Sequence, residues 1–174
     1  GDITFHDSML AGYIKAARGA VERYTGRQIV TATWDYQIDR FPCGLDPLYL
    51  PKSPLSSVTS ITYLAAADGA STTFTSSDYR VITSTEPGYV VPAWEDVYPA
   101  TRSIAGAVTV RFVAGAAVAS VPVELKQAIL MLVTNLFEGR GGEMFMSDAV
   151  KFLLESWRVP DDFLVYGPEP QLTY

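Results

Sequence analysis

The hydrophobic period of this chain changes twice, and that double change limits the folds open to it. Apolar residues repeat at helical spacing from Leu10 to Tyr24, alternate through much of 28–113, and return to helical spacing from Leu125 to Leu136. Side chains share a face about every 3.6 residues on a helix and every second residue on a strand, so one pattern cannot bury its apolar face as the other. The expected fold is α+β: a small bundle of about three helices, an inserted antiparallel β domain and an extended C-terminal tail. Residues 1–27 and 114–158 are assigned to the helical domain, 28–113 to the β domain and 159–174 to the tail.

The clearest helix runs from Pro122 towards Arg140. Pro122 suits a first turn, where its missing N–H costs nothing, and Gly139 supplies a stop. Between them Leu125, Ala128, Ile129, Leu132, Val133 and Leu136 form one apolar stripe. Leu130, Met131 and Phe137 lie off it. A surface helix of a lone domain needs one buried face, so these three are candidates for contact with a neighbouring subunit. The first helix is read from Leu10, Tyr13, Ile14, Ala17, Val21 and Tyr24, with Asp7 or Ser8 as its cap and Gly26 as its stop. A short third helix is expected after Ser147, with Val150, Leu153, Leu154 and Trp157 on one face and Pro160 at its end.

Between the helices the chain reads as β. Val30, Ala32, Trp34, Tyr36 and Ile38 alternate with polar residues. Further strands are expected at 48–50, 58–64, 72–74, 79–83, 89–91 and 108–112, with Asp68-Gly69 as a hairpin turn and 92–106 as a long loop. The last fourteen residues, Asp161 to Tyr174, combine prolines with Phe163, Leu164, Val165, Tyr166, Leu172 and Tyr174. So apolar a tail, with neither period, either packs back on its own domain or docks into something else.

The chain's chemistry excludes more than it offers. His6 is the single histidine and Cys43 the single cysteine, which leaves no internal disulfide and nearly excludes a zinc site of the usual ligands. His6, Asp7 and Ser8 are neighbours in sequence, whereas a triad must converge in space. Glu95-Asp96 and Asp161-Asp162 read as solvated loop carboxylates, not as a pair flanking a cleft. Gly139, Gly141 and Gly142 follow a helix, whereas phosphate loops precede one. No enzyme activity and no cofactor are expected. Trp94 and Tyr98 in the long loop could stack on a sugar, so a carbohydrate-binding β module is the second reading. The net charge of −6 disfavours gripping nucleic acid, whose affinity comes largely from Lys and Arg. No apolar run reaches the roughly 18 residues of a membrane helix, no secretory leader is visible, and the expectation is a protein without a membrane partner.

The order of parts carries a resemblance. AARGAVERYTGRQIV (Ala16 to Val30) closes the first helix, followed by TWDYQIDRFP (Thr33 to Pro42), LPKSPLSSVTSITY (Leu50 to Tyr63) and SDYRVITSTEPGYV (Ser77 to Val90). VTVRFVAG (Val108 to Gly115) then leads into the Val121-Pro122 helix start. This ordered set resembles the head–tail connector, or adaptor, family of long-tailed double-stranded DNA phages and gene transfer agents. The Gly139-Arg140-Gly141-Gly142 stretch departs from the charged, asparagine-containing run usual there, and the tail is the least family-like part. The resemblance implies a structural protein without catalysis. Its copies would form a ring of about twelve under the portal, extend the DNA channel, and offer a platform to the next tail or head-completion protein. DNA would pass through without sequence-specific binding. The tail residues Phe163, Leu164, Val165, Tyr166, Leu172 and Tyr174 would dock onto the portal protein, and Leu130, Met131 and Phe137 would line the subunit interface. The protein would reside in the neck of a virion, made in a bacterial host cytoplasm.

Overall fold

A computed structural model of the protein describes residues 3–139, 146–159 and 171–173. Among these residues are three α-helices and eight strands in antiparallel sheets, the α+β architecture that the two changes of period demand. The chain divides into two compact units, residues 1–29 with 117–159, and residues 30–116 with 160–174.

The first unit is helical. Helix α1 spans Ile3–Thr25. It begins upstream of Asp7 and Ser8, so these exposed residues lie inside the helix and do not cap it. Their side chains point to water, where even modest helix formers are tolerated. Among the described side chains of α1 the buried ones, Ala17, Ala20, Val21 and Thr25, all fall in its second half. Helix α2 spans Val123–Glu138, with Pro122 as its extended N-cap residue. It packs on α1 and buries Leu125, Ala128, Leu132 and Leu136, which are spaced three and four apart. Helix α3, Asp148–Glu155, is capped by Ser147, whose hydroxyl accepts from the Val150 N–H. It ends five residues before Pro160. Trp157 therefore lies past the helix, in a turn closed by its N–H to the Leu154 carbonyl at 2.9 Å.

Tyr24-Thr25-Gly26-Arg27 joins the ends of α1 and α3. Gly26 takes φ +70°, the left-handed conformation a glycine adopts without a Cβ penalty. The Val159 N–H donates to the Thr25 carbonyl at 2.8 Å. The Tyr24 hydroxyl donates to Glu155 Oε2 at 3.1 Å. Arg27 donates to the Trp157 carbonyl and lies over the Trp157 ring, 5.5 Å from its centroid. Glu22 secures the next residues, accepting from the Ile29 N–H at 3.0 Å and from Gln28 Nε2 at 3.1 Å.

The second unit holds both sheets. Strands β1 (Ala32–Ile38), β3 (Leu55–Leu64), β4 (Ser71–Phe74), β7 (Val108–Ala114) and β8 (Gln171–Thr173) form one, in the order β4-β3-β7-β1-β8. Strands β2 (Leu48–Tyr49), β5 (Tyr79–Ile82) and β6 (Tyr89–Pro92) form the other, in the order β2-β6-β5. Alternation sets the register of the centre: Trp34 lies opposite Phe112, Tyr36 opposite Val110 and Ile38 opposite Val108, all buried. Residues of both sheets share one core, with Leu50, Ile61, Val90, Val108, Val110 and Phe112 fully covered. Gly115 ends β7 with φ +95°. A Cβ there would stand 2.7 Å from the Val30 carbonyl carbon and oxygen, so only glycine fits this approach.

Candidate assembly surfaces

Among the described residues no group of three or more His, Cys, Asp or Glu could hold a metal ion, and no helix is long and apolar enough to cross a membrane. Exposed apolar side chains are the conspicuous surface feature of the described residues.

Helix α2 carries the main group of them. Its buried stripe leaves Leu130 57% and Phe137 52% exposed, with Met131 half-buried between the faces. Sequence reasoning passed over Val123, which is 71% exposed. Val123, Leu130 and Phe137 stand seven residues apart, and seven residues are nearly two helical turns, so the three align along one side. Gln127 and Thr134 flank that line and are exposed too. Phe152 on α3 was also passed over and is 84% exposed. Its signal was legible, because it stands two positions from both Val150 and Leu154 and thus on the far side of α3 from those buried residues.

The two loop aromatics part company. Trp94 is 89% exposed at the tip of a turn closed by the Asp96 N–H on the Ala93 carbonyl, in which Glu95 takes φ +67°. Tyr98 turns inward. Its ring stacks on Phe41 at 5.0 Å with 12° between planes, and its hydroxyl lies 2.9 Å from the Val90 carbonyl oxygen. Burial pushes its phenol up to about 12. With its face covered by Phe41, Tyr98 is an anchor of the loop and cannot pair with Trp94 on a sugar. Glu95 and Asp96 are exposed, as solvated carboxylates should be.

Of the tail, the backbone of 171–173 is described. It pairs antiparallel with β1, Leu172 opposite Tyr36. Phe163, Leu164, Val165, Tyr166 and Tyr174 lie outside the described residues, as do Asp161, Asp162, Gly141 and Gly142. On the same strand β1, Asp35 meets Arg111 of β7 in a two-pronged pair, Nε to Oδ1 at 2.7 Å and Nη2 to Oδ2 at 2.6 Å. The hydrogen bonds from Arg111 hold the Asp35 carboxyl below the usual carboxylate range.

No protein-family model matches the chain, and no curated protein does. Solved structures do. The chain is similar to a chain in the neck of a native gene transfer agent particle computed with C12 symmetry, with TM-score 0.72 and 26% identity over 90% of this chain and 87% of that one. It is similar to a chain in the neck of the empty particle computed with C6 symmetry, with TM-score 0.74 and 27% identity over 92% and 82%. A chain in the virion of the native particle matches with TM-score 0.73 and 26% identity over 92% and 80%. The protein thus shares its fold, across both units, with chains of gene transfer agent necks and virions, as its resemblance to the head–tail connector family leads one to expect.

Proposed function

We propose that this protein is a structural head–tail connector. Copies of it form a ring under the portal of a phage or phage-like particle, extend the DNA channel and give the tail its attachment platform. The observation that carries this reading is the likeness, over about nine-tenths of the chain, to chains in gene transfer agent necks. Two properties of the chain support it. The exposed line on α2 gives a ring subunit apolar surface to cover. The net charge of −6 suits a wall along which DNA slides without being held. The ring has the twelvefold order of the C12 neck and occupies the neck of the virion after synthesis in the bacterial host cytoplasm.

The tail is the portal-docking element in this proposal, with Phe163, Leu164, Val165, Tyr166, Leu172 and Tyr174 as anchors. Prolines between apolar residues suit a segment that orders against a partner. Deleting 161–174 is expected to leave a folded protein that no longer attaches to heads, read by thermal unfolding and by electron microscopy of the particles. A truncated protein that completes heads normally rules the docking role out. Imaging of intact particles tests the ring itself: density for this chain anywhere but the neck would sink the reading.

A further inference from the structure

Resting on the ring reading above, we propose that adjacent copies join head to tail through Phe152 of one copy, seated between Leu130 and Phe137 on α2 of the next. The knob is preset. Val150 and Leu154 bury one side of α3, and Phe152, about 200° around the helix from each, projects from the other with 84% of its surface open. The hole is preset as well. Residues at i, i+3, i+4 and i+7 on a helix surround a recess of the kind that accepts a side chain in coiled coils. On α2 those positions are Leu130, Val133, Thr134 and Phe137. Leu130 and Phe137 form its ends, and half-buried Val133 lines one side. The Thr134 hydroxyl donates to the Leu130 carbonyl at 3.0 Å. Its proton is thus committed within the helix, and the recess can be covered without leaving a donor unpaired.

The occupant is a second copy because knob and hole belong to one chain and are both open in it. Two different patches that match each other generate a head-to-tail contact, and a repeated head-to-tail contact whose rotation closes makes a ring. Two α2 lines packed on each other would instead make an isolated twofold dimer. The similar neck chains belong to assemblies of C12 and C6 symmetry, the arrangement a head-to-tail contact generates. Both partners lie on helices, so their geometry needs little ordering at assembly.

The test uses full-length protein with Cys43→Ser, assembled into necks and treated with a short bismaleimide. Thr134→Cys marks the hole and Ala149→Cys, one turn from Phe152, marks the knob. The double variant is expected to give a ladder of covalent oligomers, a mixture of the two single variants to stop at dimers, and each single variant alone to stay monomeric. Necks that contain the ring but give no ladder overturn the interface and leave the ring reading standing. Dimers from Thr134→Cys alone overturn it too, because they mark a twofold contact. Necks without a ring of this chain defeat the ring reading and the interface with it. As a second measure, Phe152→Ala should leave the unfolding midpoint of the isolated protein unmoved and lower its incorporation into necks about tenfold or more. Incorporation equal to the parent protein overturns the proposal.

Discussion

The two units solve the burial problem differently. In the β unit the large apolar side chains of the strands turn inward, and the conspicuous exposed ones, Leu45, Trp94, Val97 and Ile104, stand in connecting segments. In the helical unit Val118 stands in the turn before α2, but the other exposed ones, Ile14, Val123, Leu130, Phe137 and Phe152, stand on the helices themselves. Two sheets sharing one core cover each other's inner faces within a single chain. A few helices leave outer stripes, and here one of these is apolar. Surface held on a helix keeps its geometry before a partner arrives, whereas surface on a loop must first be ordered. The difference leaves the β unit with its strand faces covered and the helical unit with apolar side chains open on its helices.

That contrast can be broken by experiment. The largest effect is expected in the β core: Phe112→Ala removes a fully buried ring opposite Trp34 and should cost about 3–5 kcal/mol in denaturant unfolding. A loss below about 1 kcal/mol would deny that this core is closed. Gly115→Ala comes next. Its Cβ meets the Val30 backbone at a positive φ, so a loss of roughly 1–3 kcal/mol is expected, and no loss would show that the approach is looser than drawn. Alkali should act on the same unit. Tyr98 titrates at about 12, and burial also raises Tyr36 and Tyr79. A raised folded value means that the contribution is complete below the ordinary tyrosine value near 10 and is lost as pH rises through the folded one. Unfolding midpoints should therefore fall from about pH 10 to 12, and Tyr98→Phe should flatten that fall.

Smaller effects sharpen the other side. Asp35→Asn breaks an exposed pair and should cost no more than about 1 kcal/mol at neutral pH. The depressed carboxyl contributes fully above the unfolded value near 4 and loses its contribution as pH falls through the folded one, so parent and variant should converge in acid. Phe137→Ser should change the stability of the isolated protein least, by under about 0.5 kcal/mol, while reducing its entry into necks. A large loss of stability would place Phe137 in the helical core and erase the contrast.

Much of this was legible in the residues. The period of 122–138 gives α2, and the same spacing separates Leu125, Ala128, Leu132 and Leu136 inside from Leu130 and Phe137 outside. Ser147 was recognisable as a cap because its hydroxyl can reach the N–H three residues on. Other features escaped because they depend on distant partners. Tyr24-Thr25-Gly26-Arg27 stood out as a motif, but its purpose lies with Glu155, Trp157 and Val159, more than a hundred residues away. Trp94 and Tyr98 looked alike in one loop, yet Phe41 takes Tyr98 inside while Trp94 stays exposed. The long loop is itself tied down, the Arg102 N–H donating to the Leu64 carbonyl and the Ala66 N–H to that of Ala100.

What the sequence by itself determined is the kind of each principal element and the face it buries, because period and turn chemistry act over a few residues. It also determined that the chain has apolar side chains to spare on α2. Only the tertiary structure decided the fate of the loop aromatics: Tyr98 is taken in against Phe41, while Trp94 stays 89% exposed. It decided, too, that the backbone of 171–173 becomes an edge strand on β1. Burial and strand pairing are settled by which remote segment arrives, and no local pattern encodes that arrival.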